Sequence, residues 1–271
     1  MKRNEGIHRH DISDEAWERI KELLPGQAGK RGGVAKDNRL FINAAAWQTR
    51  TGAPWRDIPP EFGNWNSIHK RFCRWRDKGI WRTLADAAIG EPAGDIFMID
   101  STYIKAHADA CGAQGGSQDI SRTKGGLNSK LHLVVDEYGI PAGGIVTMGT
   151  VADCSQAPLL MEDLEAEAFL ADKAYDTNEL LGMLKEADIT AVIPPVKSRK
   201  EQRAYNHELY RARHVIENVF RALKRWRGIA TRCAKLTASF VRRHSCQVAR
   251  CTVQRIHLAV SNIALRSMNT P

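Results

Sequence analysis

Residues 95–106 read DIFMIDSTYIKA and residues 168–175 read AFLADKAY. Each opens on an apolar run with an aspartate behind it, Asp100 after IFMI and Asp172 after AFLA. Runs of this kind predict buried β-strands, and a carboxylate in that position is hard to solvate as mere surface. Both acids are therefore expected at strand ends on a common edge, where open α/β sheets gather functional groups. Either one taken alone could equally cap a turn.

Outward from these two strands, residues 130–150 (KLHLVVDEYGIPAGGIVTMGT) predict a further pair joined by a turn at Glu137–Gly139. Helices are expected over 155–166 and 177–187, a short strand at 190–196, and a long final helix over 207–226. The order βββαβαβα suits an α/β fold, a mixed sheet with helices on its faces, the layout of the RNase H-like domains. Residues 108–129, rich in Gly and Ser, read as a mobile loop.

Upstream, residues 1–93 read as helices and turns. Ser13 is placed to cap a helix running to Leu24, with Asp14 and Glu15 in its first turn and Pro25 beyond its end. A second helix is expected from Asp37 to Thr49, then a Pro- and Gly-rich connector over 51–65. Residues 66–87 predict two helices broken at Gly79. Ile68, Phe72, Trp75, Ile80 and Leu84 form their buried stripe, and Lys70, Arg71, Arg74 and Arg76 face outward. A compact helical unit with one basic helix suggests a helix-turn-helix-like DNA reader, with Lys70, Arg71 and Arg74 as its DNA contacts.

The last helix carries a second functional stripe. At about 100° per residue, Tyr210, Arg213, Glu217 and Lys224 fall within a face roughly 60° wide. Glu217 is the last acid in the sequence and is surrounded by Arg211, Arg213, Arg221, Lys224, Arg225 and Arg227. An exposed Arg213–Glu217 pair at i, i+4 would alone contribute only a few tenths of a kcal/mol.

The spacing Tyr210-x2-Arg213-x3-Glu217-x6-Lys224 resembles the signature of insertion-element transposases with an Asp-Asp-Glu site. DSTYIKAHADA at 100–110 and ADKAYDTNEL at 171–180 are similar to the segments holding the first and second acids of that family. HDISDEAWERIKELLP at 10–25 and TGAPWRDIPPEFGNW at 51–65 are similar to its insertion-sequence-five branch. The resemblance implies a DNA transposase that cuts element ends and joins the freed 3′-hydroxyl to target DNA. It implies Asp100, Asp172 and Glu217 as catalytic and metal-holding residues for two Mg²⁺ ions, with Mn²⁺ able to substitute. One ion would activate the attacking oxygen and the other would stabilise the leaving one. Tyr210, Arg213 and Lys224 are implied as DNA contacts. Double-stranded DNA is the expected partner, and a homodimer on DNA the expected assembly. Trp226 could stack on a distorted base or pack in the core, and His107 in its polar loop reads as solvated.

Charge supports this reading. The net charge of +9 divides into +5 over residues 1–93, −10 over 94–196 and +14 over 197–271. Carboxylates gather cations and flanking Lys and Arg neutralise phosphates. No apolar run approaches the roughly 18 residues of a membrane span, and the polar start does not read as a signal peptide, so the cytoplasm is the expected compartment. Six cysteines lie far apart with no CxxC pair and read as reduced thiols. His244, Cys246, Cys251 and His257 match no familiar zinc spacing. The chain divides by expectation into a helical region (1–93), a catalytic domain (94–236) and a basic tail (237–271). That tail carries Arg242, Arg243, Arg250 and Arg255 where the family resemblance implies a mainly apolar helix. Two other readings stay open: an RNase H-like nuclease without strand transfer, and a DNA-binding derivative without chemistry.

Overall fold

A computed structural model describes residues 11–29, 33–81, 83–84, 94–162 and 164–244, the last four in backbone alone. The start of the chain, the tail beyond 244 and the cluster containing Cys246, Cys251 and His257 lie outside the described residues.

The described N-terminal part contains α1 (Asp14–Ile20), α2 (Asn38–Thr51) and α3 (Trp65–Asp77), with further helical residues after Gly79. Each starts on a side-chain cap. Ser13 accepts from the Ala16 N–H, Asp37 from Leu40, and Asn64 from both Asn66 and Ser67, satisfying donors that a helix start leaves free. Helix α1 stops earlier than expected, and a 3-10 turn over Lys21–Leu23 carries the chain to Pro25. Phe41, Phe72, Trp75 and Trp81 stack at the centre of this unit, with neighbouring ring centroids 4.8–5.8 Å apart. Gly79, with φ +69, breaks the chain after α3, as the sequence predicts.

Arg71 corrects the outward reading of α3. Its guanidinium is half-buried, lies 4.3 Å from the Phe41 ring centroid and 4.8 Å from that of Trp75, and bonds Asn38. Arg76 is also partly buried and reaches Ser239 at 2.9 Å, whereas Lys70 and Arg74 are exposed. The planar cation of Arg71 packs against two aromatic rings at once.

The sheet contains β1 (Ile96–Ala106), β2 (Ser121–Thr123), β3 (Gly126–Asp136), β4 (Pro141–Met148), β5 (Ala168–Leu170), β6 (Thr190–Val192) and β7 (Thr231–Arg232). Antiparallel β4, β3 and β1 run side by side, then β5 and β6 continue parallel to β1. This is the RNase H-like arrangement. Two short strands add to the expected order. Segment 108–129, expected as a loop, contains β2, which forms a tight hairpin with β3. Strand β7 pairs with the far end of β1 at Lys105–Ala106.

Helices cover both faces. Met98, Leu133 and Leu170 pack against Val215, Ile216, Val219 and Leu223 of α7 (His214–Lys224). On the other face, Phe97, Ile99 and Phe169 meet α4 (Ala157–Met161) and α5 (Asn178–Glu186). Helix α4 is shorter than the predicted 155–166. The expected single helix over 207–226 is divided into α6 (His207–Tyr210), a 3-10 turn at Arg211–Arg213, and α7. After α8 (Arg227–Ala230) and β7, the chain ends its described part in α9 (Thr237–His244).

The helical unit meets the sheet-bearing part of the chain where α2 contacts α8. Arg50 donates to the Arg225 carbonyl at 2.7 Å and its guanidinium lies 5.3 Å from the Trp226 ring, so Trp226 serves packing here. A Cβ on Gly228 would stand 2.7 Å from the Thr49 carbonyl, which only glycine avoids.

Candidate active site

Asp100 stands in the middle of β1 rather than at its end, and Asp172 lies two residues past the end of β5. The alignment of the two acids survives this correction. Ile96, Phe97 and Met98 pair with Ala168, Phe169 and Leu170, so two further steps in register bring Asp172 level with Asp100. There β5 has ended, and Asp172 turns to cap the 3-10 turn at Lys173–Tyr175, accepting from the Ala174 N–H at 2.8 Å.

Alternation along β1 sends Asp100 to the face of Met98, the face that α7 covers. Asp100 Oδ1 accepts from the Ser101 N–H at 2.7 Å, and Oδ2 accepts from Arg213 Nη1 at 2.8 Å. The other terminal nitrogen of Arg213 donates to Glu217 Oε1 at 2.5 Å. One guanidinium thus bridges the first and third acids predicted from sequence. Arg213 is only 17% exposed in its side chain and Asp100 21%, whereas Glu217 at 48% faces solvent.

Burial pushes the Asp100 carboxyl above its ordinary pKa, and the nearby Asp172 charge adds to this, although the Ser101 N–H and Arg213 pull the other way. Burial also works against the Arg213 charge, but Asp100 and Glu217 outweigh it and raise its pKa. Tyr210 is partly buried, with its ring edge-on to Tyr205 at 5.5 Å. Burial foremost and the charge on Asp172 raise its hydroxyl pKa, against the pull of Arg213. Lys224 is exposed two turns beyond Glu217 on α7. His107 is exposed and bonds Asp109.

Among the described residues, no three His, Cys, Asp or Glu side chains are close enough to clasp a metal ion as they stand. The donor set nevertheless fits a divalent cation. Hard carboxylate oxygens suit such an ion, and a positive group already occupies the gap between Asp100 and Glu217.

Sequence reasoning missed a polar network on the opposite face of β1. Lys130, 5% exposed, donates to Asp153 at 2.8 Å and to the Val151 carbonyl at 2.7 Å, and Ser101 Oγ donates to Asp153 at 2.6 Å. These bonds fix the residue next to Asp100. The available signal was Lys130 at a core-facing place in an alternating strand, which demands a buried acid as partner.

The described cysteines, Cys73, Cys111, Cys154 and Cys233, are free thiols. Among the described residues, no helix is long and apolar enough to cross a membrane.

Residues 12–85 match the family described as "Putative transposase of IS4/5 family", and residues 91–251 match "Transposase DDE domain". The chain is 37% identical over 117 residues to the "Putative transposase for insertion sequence element IS6501" of Brucella ovis, an alignment covering 42% of this chain and 90% of that protein. It is 35% identical over 115 residues to the uncharacterized protein y4sN of Sinorhizobium fredii, covering 42% and 86%. Among solved structures, a piggyBac transposase synaptic complex with hairpin DNA aligns over 94% of this chain and 78% of its own, with 9% identity and TM-score 0.45. Divalent-metal dependence accompanies the DDE domain. With that domain matched across more than half of its length, the chain belongs to the DDE transposases of the IS4/IS5 type, enzymes of DNA transposition.

Proposed function

We propose that Asp100, Asp172 and Glu217 are the three acids of this transposase and hold two Mg²⁺ ions, with Mn²⁺ as a working substitute. The observation that carries this reading is the double hydrogen bond of Arg213 to Asp100 and Glu217, combined with the level register of Asp172 on the neighbouring strand. When bound, the ions supply Lewis-acid activation of the attacking oxygen and stabilisation of the leaving oxygen.

The chain's own residues supply position and charge. Arg213 keeps two carboxylates apart in the cation-free protein, and its fork would be free for a DNA phosphate with those carboxylates on metal. Lys224 meets the same strand as a point charge, and the Tyr210 hydroxyl donates to a phosphate or base beside it. Exposed Lys70 and Arg74 contact the duplex from α3, whereas Arg71 reaches DNA only by leaving its aromatic pocket. The substrate is double-stranded DNA at the ends of the element and at the target, met at the nucleoid. Paired processing of both ends calls for a homodimer on DNA.

The test is Mn²⁺ binding followed by electron paramagnetic resonance in Asp100→Asn, Asp172→Asn and Glu217→Gln. Each should lose bound ion while keeping its fold by circular dichroism. Wild-type Mn²⁺ uptake by all three would refute the assignment.

A further inference from the structure

The side of β1 away from β3 is paired only near its ends, with β5 at Ile96–Met98 and with β7 at Lys105–Ala106. Asp100 lies at the open stretch between them. Beyond that stretch, at the end of β1 where Lys105 pairs with both β3 and β7, a groove of about 490 Å³ is lined by Tyr103, Lys105, Lys124, Asn128 and Lys224. No acid lines it. Lys105, Lys124 and Lys224 are exposed, and none forms an ion pair among the described residues. Tyr103 is 53% exposed, and the Lys130 ammonium lies 5.0 Å from its ring centroid. Because Lys130 is itself fixed by Asp153 and Val151, it braces the ring without adding a free charge to the groove.

Strand alternation puts Tyr103 and Lys105 on the face opposite Asp100. Lys224 comes from α7, which packs on the Asp100 face, so the groove wall draws on elements from both faces of the sheet. Three strand residues from Asp100 to Tyr103 span about 10 Å.

We propose that this groove is a second DNA subsite, holding backbone phosphates and one unstacked base of a strand a few nucleotides from the phosphate engaged by the three acids. It rests on the DNA-cleaving reading above. The three ammonium groups take the phosphates and the braced Tyr103 ring takes the base, a combination suited to single-stranded nucleic acid. Lys124 reaches in from the tip of the β2–β3 hairpin, which gives that hairpin a role in binding.

The full chain is titrated by fluorescence anisotropy with a short oligothymidylate and with a duplex carrying a single-stranded 3′ tail, each at two salt concentrations. Tyr103→Ala should weaken oligothymidylate binding roughly tenfold, and Tyr103→Phe, which keeps the ring, should retain it. Lys124→Ala should weaken it and lower the salt slope by about 0.7. The same losses on the tailed duplex assign the occupant to the processed element strand. Losses on oligothymidylate alone assign it to an unpaired strand detached from a duplex end, and either result supports the subsite. If the wild type binds both probes and Tyr103→Ala and Lys124→Ala titrate identically to it, the subsite is overturned while the DNA reading stands. If the wild type binds neither probe, both fall.

Discussion

Arg213 Nη1 donates to Asp100 Oδ2 across 2.8 Å, joining residues 113 positions apart in the chain. The same guanidinium holds Glu217, so the start of α7 is docked on β1 through a cation placed between two acids. Arg213 therefore has a structural duty in the metal-free protein in addition to the phosphate contact implied by the sequence.

Arg213→Ala should leave Asp100 and Glu217 without their shared partner while Asp172 still repels Asp100. The metal-free variant should be less stable by about 1–3 kcal/mol, since removing one partner of a partly buried ionic bond leaves the other uncompensated. Mg²⁺ should then raise its Tm by more than it raises that of the wild type. Equal Mg²⁺ shifts in the two proteins, read by calorimetry, would remove Arg213 from the cation gap.

Lys224→Ala carries no such structural burden. Affinity for an element end should fall and the salt dependence should flatten by about one unit, with Tm unchanged. An unchanged salt slope would place Lys224 away from the DNA.

His132 gives the protein an acid limit. It is wholly buried, bonds Thr147 at 2.9 Å, and its Nδ1 has no partner among the described residues. Burial lowers its pKa from 6.5 to about 4. The unfolded chain then binds a proton that the folded chain refuses, so stability should fall as pH drops from about 6.5 through about 4, by up to roughly 3 kcal/mol. Urea unfolding of the wild type and His132→Phe across that range checks the sign. The variant's stability should change less with pH.

Arg71 and Arg74, three residues apart on one helix, should behave oppositely. Arg71→Ala removes a cation packed against two rings and should cost about 1–2 kcal/mol of stability. Arg74→Ala should leave Tm alone and weaken duplex binding. If Arg71→Ala unfolds like the wild type, its contacts with Phe41 and Trp75 contribute nothing.

Much of this was legible in the sequence because long elements advertise themselves. IFMI before Asp100 and LHLVV before Asp136 have enough apolar residues to declare strands, and Ser13, Asp37 and Thr177 cap helices as their chemistry predicts. What was hidden depends on partners. Strand β2 is three residues of Ser, Arg and Thr that become a strand only against β3, and β7 is two residues defined by pairing with Lys105 and Ala106. The 3-10 turn at Arg211–Arg213 contains good helix formers and gives no local warning. The shared face of Arg213 and Glu217 follows from helical spacing, but the bond from Arg213 to Asp100 is a tertiary fact.

The most direct test of the three-acid site is Mg²⁺-dependent cleavage of element-end DNA by Glu217→Gln. The substitution keeps side-chain size and helix propensity but removes the charge that would hold a divalent ion. The protein should fold and bind DNA normally, and its cleavage rate should fall by orders of magnitude. A folded, DNA-binding Glu217→Gln protein that cuts at the wild-type rate would contradict the account.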